Sequence, residues 1–220
     1  MPVSTQESKW KRLVAWIWIV GALAFLAAPA QPSPDVIEPL MLNEILADPQ
    51  RDWNGDGIVH SRDDEWVEIV NVGTSTVTLD DYRLAGADTS WRYGFTGTLA
   101  SGAVLVVYGN QSYAWEDQNG APRFGLRLTN TGGTIGLWRL SDGDTVRVDS
   151  YSYVDHEADP DRSTGRLPDG GSIWRLYDSL NPYTGTAVPL GTGCLPSPGS
   201  LFLCPTPARA ATWGSLKTRY

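Results

Sequence analysis

The sequence predicts an all-β fold, an antiparallel β-sandwich, and three observations carry that expectation. Roughly seven to ten short apolar runs recur at regular spacing, bounded by Gly, Pro, Asn or Asp. Gly 23 and Pro 15 in 220 residues, with 10% aromatic side chains, favour strands joined by turns over a helical bundle. With 41% hydrophobic and 19% charged residues, the chain can build one sizeable core.

The first 30 residues read as an export signal. Lys9, Lys11 and Arg12 form a basic start, Leu13 to Ala30 is apolar, and Ala28-Pro29-Ala30 offers small residues for cleavage. The rival is an uncleaved anchor, since about 18 apolar residues also span a bilayer. Either way the rest is expected to be secreted or at the cell surface, with membrane contact only through that segment if uncleaved. Removing residues 1–30 takes away three basic groups and one acidic group. It leaves 14 Lys and Arg against 24 Asp and Glu, a net charge of −10. That argues against nucleic acid bound through a basic face, because phosphate neutralisation drives such affinity.

Residues 31–39 read as a linker. The first strand runs from Leu40 to Leu46 and stops at Asp48-Pro49, where proline excludes continuation. A loop follows whose residue types point to a hard cation. Asp52, Asn54 and Asp56 alternate, Gly57 turns the chain, Val59 is an apolar plug, and Asp63 stands twelfth. With the carbonyl of Ile58, the side chains of Asp52, Asn54, Asp56 and Asp63 supply most of a calcium shell, and His60 acts through water if at all. With Asp rather than Glu at the twelfth position, this loop resembles those of dockerin modules more than an EF-hand, and Asp64 or Glu65 is placed to assist. The competing reading is a metal-free acidic turn, since Asx and Gly favour turns on their own account.

Glu65 to Asn71 reads as a strand with Val67 and Ile69 on one face and Trp66, Glu68 and Val70 on the other. Short strands follow at Thr76–Leu79, Tyr82–Ala85 and Trp91–Thr96. Ala103 to Gly109, apolar throughout, suits a strand buried on both sides. Residues 110–123 read as a polar loop. Ile135, Leu137 and Arg139 alternate with Gly136 and Trp138, and Asp142-Gly143 signals a hairpin whose return strand carries Val146 and Val148 on one face. A turn-rich loop after Asp155-His156 leads to a last strand, Ile173 to Tyr177.

The order of these pieces resembles the lamin tail domain in its bacterial, secreted form. The resemblance rests on LNEILADP (Leu42 to Pro49), an acidic insert, EWVEIVN (Glu65 to Asn71), LDDYRLAG, the AVLVVYG run, FGLRL, the hairpin and GGSIWRLY, over roughly residues 40–180. It implies an immunoglobulin-like sandwich and a scaffold or interaction module, with no catalysis. Beyond Asn181 the chain is rich in Pro, Gly and Thr and reads as an irregular, mobile tail. Cys194 and Cys204 both lie there. Export and an even count point to a disulfide between them, with free thiols or a metal pair as alternatives that no nearby His supports.

No nucleophile elbow, zinc-protease, phosphate-loop or CxxC motif occurs. Glu44, Glu65 and Glu68 could pair as acid and base, but strand-end carboxylates more often bond backbone. His156, beside Asp155, is the one plausible base, but with no nucleophile signature beside it the stretch reads rather as a solvated acidic loop. Trp53, Trp91 and Trp115 fall in or near loops, where exposed rings could stack on sugars. The sequence thus predicts a secreted, calcium-stabilised, non-catalytic module that binds an extracellular protein or a cell-surface polymer. A calcium-dependent carbohydrate binder is the second reading, and an extracellular hydrolase trails.

Overall fold

Two antiparallel sheets face each other across one core in the computed structural model, which describes residues 38–202 and Cys204. The leader 1–30, with its cleavage site, and the end of the tail, 205–220, lie outside the described residues. The first sheet has the order β11-β10-β1-β2-β7: β1 is Leu40–Leu46, β2 Trp66–Asn71, β7 Val104–Tyr108, β10 Ser163–Arg166 and β11 Trp174–Tyr177. The second has the order β5-β4-β8-β9: β4 is Tyr82–Gly86, β5 Trp91–Gly94, β8 Gly132–Ser141 and β9 Asp144–Val154. A two-stranded ribbon pairs β3 (Val77–Thr78) with β6 (Thr98–Leu99). This is an immunoglobulin-like β-sandwich.

The core follows from alternation. Leu40, Leu42, Ile45, Val67, Ile69 and Val107 of the first sheet meet Leu84, Ile135, Leu137 and Tyr153 of the second. Alternation alone cannot place both Leu42 and Ile45 inward. The register skips one residue between Leu42 and Glu44, and this bulge reconciles them. It also sets Glu44 directly opposite Glu68 on the outer face. The hairpin turn at Asp142-Gly143 has both residues at positive φ (50° and 91°), the geometry that matches strand twist.

Three expectations are corrected. Residues 110–123 are not all loop: Gly109–Asn119 forms a helix, α1. Gln111 accepts a hydrogen bond from the Tyr108 N–H at its start, and Gly120 closes it at φ 64°. The turn-rich stretch before the last strand contains β10, whose Ser163, Thr164 and Arg166 are buried although polar. Finally, β7 is an edge strand and only half-buried at most positions, because a continuous apolar run does not say how many neighbours it has.

The tail is irregular, yet the described part of it is held down. Asp178 accepts the N–H groups of Tyr183, Thr192 and Gly193, and Leu176 N–H donates to the Leu190 carbonyl. A disulfide joins Cys194 to Cys204, and Cys194 is buried. The expected mobile appendage is therefore a docked strap.

Candidate functional site

The loop between β1 and β2 is knit by its own carboxylates. Asp52 Oδ1 accepts the N–H of Gly55 and of Asp56, and Oδ2 accepts that of Gly57. Asp56 N–H also reaches Asn54 Oδ1, and Ile58 N–H reaches Asp56 Oδ1. Gly55 and Gly57 take positive φ, 75° and 90°, which L side chains resist. Asp52, Asn54, Asp56 and Ile58 are thus brought into one tight turn. Asp63 is tied to it through its carbonyl, which accepts Asn54 Nδ2 at 3.4 Å, while its carboxylate lies 3.5 Å from His60 Nδ1.

The anchors of this loop differ from those the sequence suggested. Val59 is no plug; it is 55% exposed. Trp53 does that work instead, packing edge-on against the buried Trp66 and donating its indole N–H to Asp161. Asp64, fully buried, accepts the N–H groups of Trp53, Asn54 and His60. Among the described residues no three His, Cys, Asp or Glu side chains gather as a metal centre. The donors of the turn are nonetheless of the type a hard cation takes, oxygens with lone pairs beyond those given to backbone.

On the outer face of the first sheet lies a second cluster, where Glu44 and Glu68 meet partners that the sequence did not indicate. Glu44 and Glu68 are buried and opposite each other. Glu44 accepts the hydroxyls of Ser163 and Ser197 and the Ser197 N–H. Glu68 accepts Asn43 Nδ2 and the Gly199 N–H. Asp169 accepts Asn43 Nδ2 and the Phe202 N–H, and Phe202 packs on Tyr177 at 5.0 Å. The disulfide-closed strap thus covers the face with its own backbone donors. Burial pushes the Glu44 carboxyl up to about 7 and that of Glu68 to about 8, the latter helped by the Glu44 charge. Glu65, just before β2, is pushed by burial to about 8 while accepting the Leu128 N–H.

The remaining candidates are spoken for by packing. His156 stacks on Tyr183 at 4.8 Å. Trp91 meets Trp138 edge-on at 6.4 Å, and Trp115 tilts against Tyr93 at 6.5 Å. Each of Trp53, Trp91 and Trp115 is half-buried, so the three form no flat row of open rings. Among the described residues no helix is long and apolar enough to cross a membrane.

No curated protein and no solved structure matches the chain. The family model of the Lamin Tail Domain matches residues 34–155, the stretch that carries β1 through β9 and most of the sandwich core. With that match over more than half its length, and an immunoglobulin-like sandwich beneath it, the chain belongs to the lamin tail domain family.

Proposed function

We propose that this protein is an exported, non-catalytic interaction module, stabilised by calcium in the 52–63 loop, that binds an extracellular protein or a cell-surface polymer. The observation that carries the non-catalytic part is the strap. Glu44 and Glu68, the pair best suited to acid–base work, are closed off by Ser197 and Gly199 of the same chain. An open cleft would leave such carboxylates to a substrate. Membership of a structural, immunoglobulin-like family supports the same reading. Export rests on the leader. N-terminal sequencing of the cell-surface or medium fraction is expected to begin near Gln31, and a full basic leader on membrane-bound protein would favour the anchor.

In the calcium reading, Asp52, Asn54, Asp56, the Ile58 carbonyl and Asp63 are the ligands. A divalent ion relieves the repulsion of three carboxylates in one short loop. Extracellular modules bind calcium at about 10⁻⁴–10⁻³ M, so a few millimolar contributes about 1–2 kcal/mol. Melting in calcium against chelator is expected to show a gain of roughly 2–8 °C for a domain of this size. Asp52→Ala and Asp56→Ala should each remove that gain and leave the sandwich folded. Superimposable curves with calcium and with chelator would leave the loop as a self-bonded acidic turn.

A further inference from the structure

Beside the β4–β5 turn the surface opens into a pocket of about 310 Å³, lined among others by Asp88, Arg92, Arg127, Thr129, Gly132 and Thr134. Arg92 is only 2% exposed. Its guanidinium lies against Gly86, where even a Cβ would stand 3.0 Å from Nη2, and over the Phe124 ring at 4.7 Å. Nη2 donates to both oxygens of Asp88, at 2.8 and 2.7 Å. Nε and Nη1 have no hydrogen-bond partner among the described residues. Arg127 stacks on the same Phe124 ring at 5.0 Å, and its Nη1 is 3.6 Å from Asp88 Oδ2. Its backbone sits at φ 53°, an uncommon conformation for a side chain of this size. Two guanidiniums therefore share one ring and one carboxylate, and the buried Glu116 is near enough to feel the charge of Arg92.

A buried arginine with unfilled donors is costly, because the guanidinium has lost water without gaining acceptors. Both nitrogens are closed off from solvent, so an acceptor gains them only as the Asp88 side chain moves aside. We propose that this pocket binds the carboxylate of a ligand, seated on Arg92 and Arg127 beside or in place of Asp88. Asp88 already shows what Nη2 accepts: a planar carboxylate, both oxygens of which it bonds. The site already holds a flat carboxylate on Arg92 and Arg127, and that occupant's shape and single charge suit a carboxylate better than a tetrahedral phosphate dianion. The Asp88 side chain is 41% exposed and lies on a turn, so it can yield its place. Thr134 and the glycines at 132–133 line the same wall.

The test uses the whole protein, acetate as the probe, and the arginine side-chain ¹⁵N–¹H resonances as the readout. Titration with sodium acetate against sodium chloride at matched ionic strength is expected to shift the Arg92 Nε–H signal saturably. Arg127→Gln, at a half-exposed position, should weaken that binding about ten-fold without moving the melting temperature. Asp88→Asn, which removes the internal competitor, should strengthen it several-fold. Inorganic phosphate at the same concentration should bind more weakly. An Arg92 signal that follows chloride and acetate alike overturns the site, and phosphate binding as tightly as acetate overturns its assignment to carboxylates. The pocket shares no residue with the 52–63 loop. Running the titration in calcium and in chelator therefore keeps a failure here distinct from a failure of the calcium reading.

Discussion

Serine at both Cys194 and Cys204 is expected to lower the melting temperature of this protein by roughly 6–12 °C. The disulfide closes a short loop with a sequence separation of 10. Loop-closure entropy for that length amounts to about 3 kcal/mol, and a domain of this size loses about 2–4 °C per kcal/mol. The cost reaches the body of the fold because the loop is docked on it. Ser197, Gly199 and Phe202 donate to Glu44, Glu68 and Asp169, and those donors leave with the strap. Buried acceptors stripped of donors lose about 1–3 kcal/mol each unless water enters. Amide exchange at Ser197, Gly199 and Phe202 gives the local readout and should accelerate in the double variant. Unchanged melting with slow exchange at all three would mean that the strap holds without its crosslink.

Raising the pH from 5 to 9 should destabilise the fold, the reverse of the usual behaviour of paired carboxylates. Burial raises the carboxyls of Glu44, Glu65 and Glu68 from the ordinary 4.5 to about 7, 8 and 8. Between 4.5 and those values the folded protein holds more protons than the unfolded chain, so stability falls as pH rises. The contribution is fully present below about pH 4.5 and is lost as pH climbs through 7 and 8. Each group adds at most about 1.4 kcal/mol per pH unit to the slope. Glu44 and Glu68 face each other, so their two protons leave as a coupled pair. Glu65→Gln keeps an acceptor for the Leu128 N–H and should flatten the curve by one group's share. Urea midpoints at pH 5, 7 and 9 measure this, and a stability that rises over that range would show that these carboxyls ionise freely in the folded state.

Some of this architecture was written in local pattern, and some was not. Strands β1 and β2, the β8–β9 hairpin and the sandwich class were legible because alternation and an Asp-Gly turn act between near neighbours. The Asp52–Asp56 turn was legible for the same reason: the bonds its Asp52, Asn54 and Asp56 side-chain oxygens accept reach no further than five residues. The helix α1 escaped because it carries no apolar stripe; it is held by Ser112 and Glu116, which bond the Arg92 carbonyl and the Gly125 N–H.

Strand β10 and the strap escaped for a deeper reason. Ser163, Thr164 and Arg166 read as surface residues, yet each is buried against a partner elsewhere: Ser163 on Glu44, Thr164 on Glu157, Arg166 on the Leu42 carbonyl and Asp149. Glu44 meets Ser197 across 153 residues, and Glu68 meets Gly199 across 131. A polar side chain is buried only where a partner waits, and no local period records a partner that far along the chain. The amino-acid sequence by itself determined the apolar faces, the turns and the family. Which carboxylates lose their water, what covers them, and that two arginines converge on Asp88 were decided by tertiary structure, because each is a pairing of polar groups rather than a pattern of apolar ones.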